Sequence, residues 1–153
     1  MKPPLISIIV PTYNQEKYLG RCLRSILSMN YKREDYEIIV INDASTDHSE
    51  SVLQAFIDEI RLIENEKNIG LPASLNRGLK KARGRFFVRV DSDDYVHEEY
   101  INILSMHLLI NRDIDAACCD YNLVDENEKI ISRQRWLDEP IGCGIMFRLV
   151  DII

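Results

Sequence analysis

Hydrophobic positions along the chain fall into two alternating patterns. Short runs that are apolar at nearly every position, residues 5–10 ("LISIIV") and 36–41 ("YEIIVI"), predict strands buried on both faces, as in a parallel sheet. Between them Tyr18, Leu19, Cys22, Leu23, Ile26 and Leu27 recur at helical spacing and share one face. A second helical pattern carries Val52, Leu53, Phe56, Ile57 and Ile60, with Asp47 and Glu50 offering a capping box at its start. Residues 61–64 form a short third strand. The next helix has Pro72 in its first turn, buries Leu75, Leu79 and Ala82, and ends in the basic "KKARG". Residues 85–90 are a fourth strand, 100–110 a helix and 114–119 another strand, while "VDENEKII" predicts a hairpin turning near Glu126 and Asn127. This alternation predicts an α/β protein of Rossmann-like, doubly wound design: one unit over residues 1–153, with a mostly parallel central sheet and helices on both faces.

Sheets of this kind bind ligands beyond the carboxyl ends of their strands. Three polar loops fall there: "PTYNQ" after the first strand, "NDAST" after the second and "DSDD" after the fourth. Their convergence on one edge is what separates a site from an isolated acidic turn. The last loop crowds Asp91, Asp93 and Asp94 together, although two carboxylates roughly 5 Å apart repel by about 3 kcal/mol at an effective dielectric near 20. A positive charge is therefore expected nearby. A solvated turn, with Asp94 capping the following helix, is the plainest account of these residues. The ligand edge argues for more. Oxygen donors without His or Cys at matching spacing suit a hard ion, Mg²⁺ or Mn²⁺, that bridges to substrate phosphates. Tyr13 at a strand end can stack on a base, worth about 1–3 kcal/mol, and Asp43 can accept hydrogen bonds from a base imide or a ribose hydroxyl. Either residue alone would pass for a strand end or a turn.

Composition narrows the partners. With 46% hydrophobic and 29% charged residues and no low-complexity tract, the 153-residue chain is not disordered. A net charge of -6 speaks against nucleic acid as a partner but is compatible with a small anion accompanied by a cation. Cys22, Cys118, Cys119 and Cys143 show no CxxC or zinc-ligand spacing and read as reduced thiols. The opening "MKPPLISIIVPTYN" reads as a first strand rather than a secretory leader, and no segment approaches the roughly 18 apolar residues of a membrane span. The expected location is cytoplasmic, at most peripheral to the cytoplasmic face of a membrane.

Other motifs fail on spacing. "NIGLPASLNRG", residues 68–78, has glycines but neither the Walker spacing nor its lysine, so it reads as a loop entering a helix. In "HEEYI" Ile101 stands where a zinc-binding HExxH needs its second histidine. Gly142 and Gly144 begin a GxGxxG that Phe147 breaks.

Taken together, "SIIVPTYNQEKYLGRCLRSIL", "YEIIVINDASTDHS" and "NIGLPASLNRGLKKARGRFFVRVDSDD" closely resemble, in the same order, the family 2 glycosyltransferases, inverting enzymes of the GT-A fold. "GIMFR" matches more weakly, and the resemblance covers nearly the whole chain. It implies a site for a nucleotide-diphosphate sugar, with uridine as the expected base, built from Pro11, Thr12, Tyr13, Asn14, Asp43, Asn68, Asn76, Asp91, Ser92 and Asp93. By the same resemblance Tyr13 stacks on the base, Asp43 hydrogen-bonds it, and "DSDD" is the DxD element. Asp93 is then the principal metal contact, with Asp91 or Asp94 meeting ribose, the ion or ordered waters. The implied reaction is transfer of the sugar, with inversion, to a hydroxyl of a saccharide or lipid-linked glycan.

Such a transfer needs a general base. In the family this is a carboxylate, often in an "ED" pair, further along than "GIMFR"; here Asp138 and Glu139 precede that position and do not take the role. The chain thus reads as a donor-binding domain that stops before the acceptor and base region, with the base expected beyond Ile153. One alternative is a nucleotide-binding module that works with a partner. A phosphorylation-dependent receiver domain would want an acidic pair where "PTYNQE" stands, and a nucleotidyltransferase would release pyrophosphate.

Overall fold

The computed structural model describes residues 2–134 and 145–148; Asp138, Glu139, Gly142, Cys143 and Gly144 lie outside the described residues. Along the chain run β1 (Ile6–Thr12), α1 (Leu19–Leu27), β2 (Tyr36–Asn42), α2 (Ser49–Gln54), β3 (Arg61–Glu64), α3 (Leu71–Leu79) and β4 (Phe86–Arg89). There follow α4 (Tyr100–Ile110), β5 (Ala116–Cys118), β6 (Tyr121–Val124), β7 (Ile130–Gln134) and β8 (Ile145–Arg148). The main sheet has the order β3-β2-β1-β4-β8-β5, and β6 pairs with β7 as a separate hairpin. β3, β2, β1 and β4 are mutually parallel, whereas β8 runs antiparallel to both β4 and β5.

Every position of β1 and β2 is buried, because helices cover both faces. Ile8, Val10, Ile38 and Val40 pack with Leu19, Cys22, Leu23 and Ile26 of α1, Leu53 of α2, and Ile101, Leu104 and Leu108 of α4. The alternate residues Ile9, Ile39 and Ile41 pack with Leu75 and Leu79 of α3. Each buried isoleucine contributes about 1.5–3 kcal/mol. Gly78 lets α3 lie close: a Cβ there would come within 2.7 Å of Ile9 Cγ2 and 2.8 Å of Ile41 Cδ1.

At the amino ends of the strands, buried Glu37 accepts hydrogen bonds from Ser7 Oγ (2.7 Å), the Arg83 amide (2.7 Å), Arg83 Nε (3.0 Å) and Arg61 Nη1 (2.5 Å). Ser7 Oγ in turn accepts from the Gly84 amide at 2.9 Å. Burial alone would push the Glu37 carboxyl up, but the donors around it outweigh that and hold it below the ordinary glutamate value. The chain runs outward from β1 to β2 to β3, then returns through α3 to place β4 on the other side of β1. The strand order therefore reverses between β1 and β4, and a crevice opens at their carboxyl ends.

Several local expectations change. The Asp47–Glu50 capping box does not form; α2 begins at Ser49, whose amide donates to Asp47 Oδ1 at 2.9 Å, and the His48 amide donates to Glu16 Oε2 at 2.7 Å. The end of α2 is supplied by the neighbouring loop because Asp47 is itself turned toward that loop. α2 stops at Gln54, leaving Phe56 and Ile57 in the turns that follow. α3 likewise stops at Leu79, short of "KKARG". The hairpin forms where expected, with Glu128 in left-handed backbone (φ 64°) and its amide donating to the Asp125 carbonyl at 3.0 Å. Cys22 is buried, but Cys118 is exposed and Cys119 half-buried, and these three thiols are unpaired. Among the described residues no helix is long and apolar enough to cross a membrane.

Candidate functional site

The loops after β1 and β2 are stitched to each other. Asn14 and Ala44 both adopt left-handed backbone, at φ 53° and 59°, which turns the two loops side by side. The Asn14 amide donates to Ser45 Oγ (3.0 Å) while Asn14 Oδ1 accepts from the Thr46 amide (2.7 Å). The Gln15 amide donates to Ser49 Oγ and the Glu16 amide to Asp47 Oδ2, each at 3.0 Å. The Asp43 amide reaches back to the Thr12 carbonyl at 2.9 Å. Asn14 is consequently a clasp between loops.

Asp43 is 4% exposed. Its Oδ1 accepts from Asn65 Nδ2 at 2.6 Å and the Ile69 amide at 2.9 Å, and its Oδ2 from the Gly70 amide at 2.9 Å. Asn65 also donates to Ser74 Oγ at 2.9 Å and accepts from Arg77, so β3, α3 and the β2 loop are tied together through one amide. Burial pushes the Asp43 carboxyl up, yet Asn65, the Ile69 and Gly70 amides and Ser74 hold it below the ordinary aspartate value. A carboxylate offers about four lone-pair positions, and these four neighbours fix the orientation of this one.

After β4 the chain turns through Asp91 to Asp94, whose amide donates to the Asp91 carbonyl at 3.0 Å. Arg89 grips Asp91 with two parallel hydrogen bonds, Nε to Oδ1 at 2.5 Å and Nη2 to Oδ2 at 2.7 Å. This is the positive charge that the crowded carboxylates demand. From α1, Arg21 Nη2 donates to the Asp93 carbonyl at 2.9 Å and the Cys22 thiol approaches the Asp91 carbonyl at 3.5 Å. Burial first, and then the carboxylates of Asp94, Asp91 and Asp93, push that thiol up to about 12, so it stays protonated. The Asp93 carboxylate is exposed and has no hydrogen bond or ion pair among the described residues.

These three loops enclose a cleft of about 370 Å³. Of the residues expected from sequence, Pro11, Thr12, Tyr13, Asp43, Asn68, Asp91, Ser92 and Asp93 line it, with the Tyr13 ring 44% exposed. Asn14 and Asn76 do not; Asn76 is exposed on α3. The structure adds Gln15, Gly70, Leu71, Ser74 and Arg89. The signal for Arg89 was a lone charge inside the apolar strand "FFVRV". A larger, more open groove of about 550 Å³ runs along α1 past Arg24, Ser25, Ser28 and Tyr95, but none of its lining comes from a strand end.

Among the described residues no three His, Cys, Asp or Glu side chains converge into a metal cage. Asp91 and Asp93 beside an open cleft nevertheless fit a hard ion of the Mg²⁺ kind, which is bound through one or two carboxylates and completes its shell with water and substrate phosphates.

The family model described as glycosyl transferase family 2 matches residues 7–148. The chain belongs to glycosyltransferase family 2. Glycosyltransferase GlyA of Streptococcus pneumoniae is 38% identical over 125 residues, which is 80% of this chain and 18% of GlyA. Among solved structures, Staphylococcus aureus TarS 1–349 in complex with UDP-GlcNAc superposes with a TM-score of 0.76 at 24% identity, over 94% of this chain and 45% of that one. The mannosyltransferase PcManGT from Pyrobaculum calidifontis, in complex with GDP-Man and Mn²⁺, gives 0.76 at 22% identity, over 96% and 45%. These likenesses show the GT-A fold. This family 2 domain spans less than half the length of GlyA and of either solved chain.

Proposed function

We propose that this family 2 glycosyltransferase domain binds a nucleotide-diphosphate sugar, a UDP-sugar foremost, together with Mg²⁺ or Mn²⁺, and forms the donor half of an inverting transfer to a hydroxyl of a saccharide or lipid-linked glycan. The observation that carries this reading is that Tyr13, Asp43 and Asp93, from the ends of three different strands, line one cleft at the point where the strand order reverses. Tyr13 offers an exposed ring for the base. Asp43, held ionised and rigid at the cleft wall, is an acceptor that fits a base N–H such as a uracil imide. Asp93 and Asp91 stand where a diphosphate would lie, and Asp93 would be the principal contact to the ion. When bound, that ion supplies Lewis-acid neutralisation of the charge that develops on the leaving diphosphate. The complexes of TarS with UDP-GlcNAc and of PcManGT with GDP-Man and Mn²⁺ support the ligand class.

Calorimetric titration of UDP into the chain, with Mn²⁺ and then with chelator, tests the reading. Affinity is expected to rise with Mn²⁺, and Asp93→Ala to lose that rise with an unchanged circular dichroism spectrum. Absence of UDP binding in either medium by folded wild type would overturn it.

A further inference from the structure

Resting on the donor-site reading, we propose that Arg89 is a resident cation of the diphosphate cleft: one edge of its guanidinium holds Asp91, and the other receives a phosphate of the nucleotide. This divides the labour of the acidic turn. Asp91 is the carboxylate that orients Arg89, and Asp93 is the one that meets the metal ion.

The geometry of the ion pair carries the argument. A guanidinium has five N–H donors arranged as two forked edges. Asp91 takes the edge formed by Nε and Nη2, one carboxylate oxygen on each, at 2.5 and 2.7 Å. The three remaining N–H groups, on Nη1 and Nη2, have no partner among the described residues. That second edge matches a phosphate as the first matches a carboxylate. Arg89 is the only lysine or arginine among the described residues that line the cleft, against three aspartates, Asp43, Asp91 and Asp93. Without it a diphosphate would enter a purely acidic pocket. Position adds rigidity: Arg89 is the last residue of β4, in register with Ile9 of β1, so the cation is mounted on the sheet itself. An ion pair this exposed, with 42% of the Arg89 side chain open, contributes little to folding. Its two-point geometry therefore bears on the cleft rather than on the stability of the fold.

The test compares UDP with uridine, titrated in EDTA and in excess Mn²⁺, for wild type, Arg89→Leu, Arg89→Lys and Asp91→Asn, each checked by circular dichroism. In EDTA wild type is expected to prefer UDP over uridine by about tenfold, the scale of a charge-assisted pair of hydrogen bonds. Arg89→Leu should lose that preference with uridine affinity unchanged, Arg89→Lys should keep only part of it, and Asp91→Asn, which leaves Arg89 less firmly oriented, should weaken it. The proposal falls if wild type shows no such preference while still binding UDP with Mn²⁺, or if a folded Arg89→Leu protein retains it. Should Arg89→Leu not fold, full retention of the preference in a folded Arg89→Lys protein would overturn it. Failure of wild type to bind UDP in both media would instead sink the donor-site reading beneath it.

Discussion

Ser7 and Glu37 stand opposite each other in register on β1 and β2, and the serine hydroxyl donates to the glutamate carboxylate across 2.7 Å. With Arg61 and Arg83 closing over them, the pair locks the amino end of the parallel strands as the ligand cleft occupies the other. Glu37→Gln removes the charge and leaves charged donors facing a neutral amide, at an expected cost of about 1–3 kcal/mol. Because the folded carboxyl lies below its ordinary value of 4.5, its stabilisation is complete above that pH and is lost as pH falls through the folded value. Urea unfolding of wild type and Glu37→Gln at neutral and acid pH should show the difference between them shrinking in acid.

Tyr13→Ala is expected to weaken UDP binding by about 1–3 kcal/mol, the range for one base on one ring, while Tyr13→Phe keeps nearly all of it. Isothermal titration of the three proteins checks this. Equal losses in the alanine and phenylalanine proteins would mean that the hydroxyl, not the ring face, is in use.

Asn65→Ala takes one donor from Asp43 and the partner from Ser74, two buried groups. A loss of about 1–3 kcal/mol in stability is expected, with weaker UDP binding because Asp43 is less firmly held. The Asp43 carboxyl should also titrate higher than in wild type, readable by carbon-detected NMR of the side chain. An unmoved titration would show that the Ile69 and Gly70 amides suffice.

Gly78→Ala places a methyl against Ile9 and Ile41 closer than real Cβ contacts come, so those side chains or α3 must shift. The expected cost is about 1–3 kcal/mol, seen as a lower denaturation midpoint. Since α3 carries Ser74 and Arg77, which bear on Asn65, nucleotide affinity should fall with it.

Much of this was legible in the chain. The apolar runs of β1 and β2 are read correctly because burial on both faces leaves few polar positions to confuse the pattern. The three strand-end loops follow from topology, which needs no side-chain detail. β8 was not legible as a sheet strand from its pattern: four residues, of which only Met146 is fully buried and Phe147 is exposed, carry too little periodicity, and its place between β4 and β5 depends on contacts far along the chain. The capping of α2 was misread for a related reason. Asp47 and Glu50 have the right spacing, but the Asp47 carboxylate is taken by the Ser49 amide and by the amide of Glu16, remote in sequence, whose own carboxylate takes the His48 amide. Arg89 looked like an ordinary strand residue, since strand alternation says which face a side chain takes and not what waits at the strand's end.

The strand that closes the main sheet is also the last one described along the chain. Among the described residues β5 has no neighbour in that sheet except β8, and the free edge of β4 waits for the same four residues. During synthesis, every residue that lines the cleft, from Pro11 to Asp93, leaves the ribosome before the segment that seals the edge beside it. An unpaired β4 edge is a hazard for mispairing during that interval. A nucleotide that binds the half-finished sheet would stabilise it by mass action. Protease protection of ribosome-arrested chains ending before residue 145, with and without UDP and Mn²⁺, would reveal it.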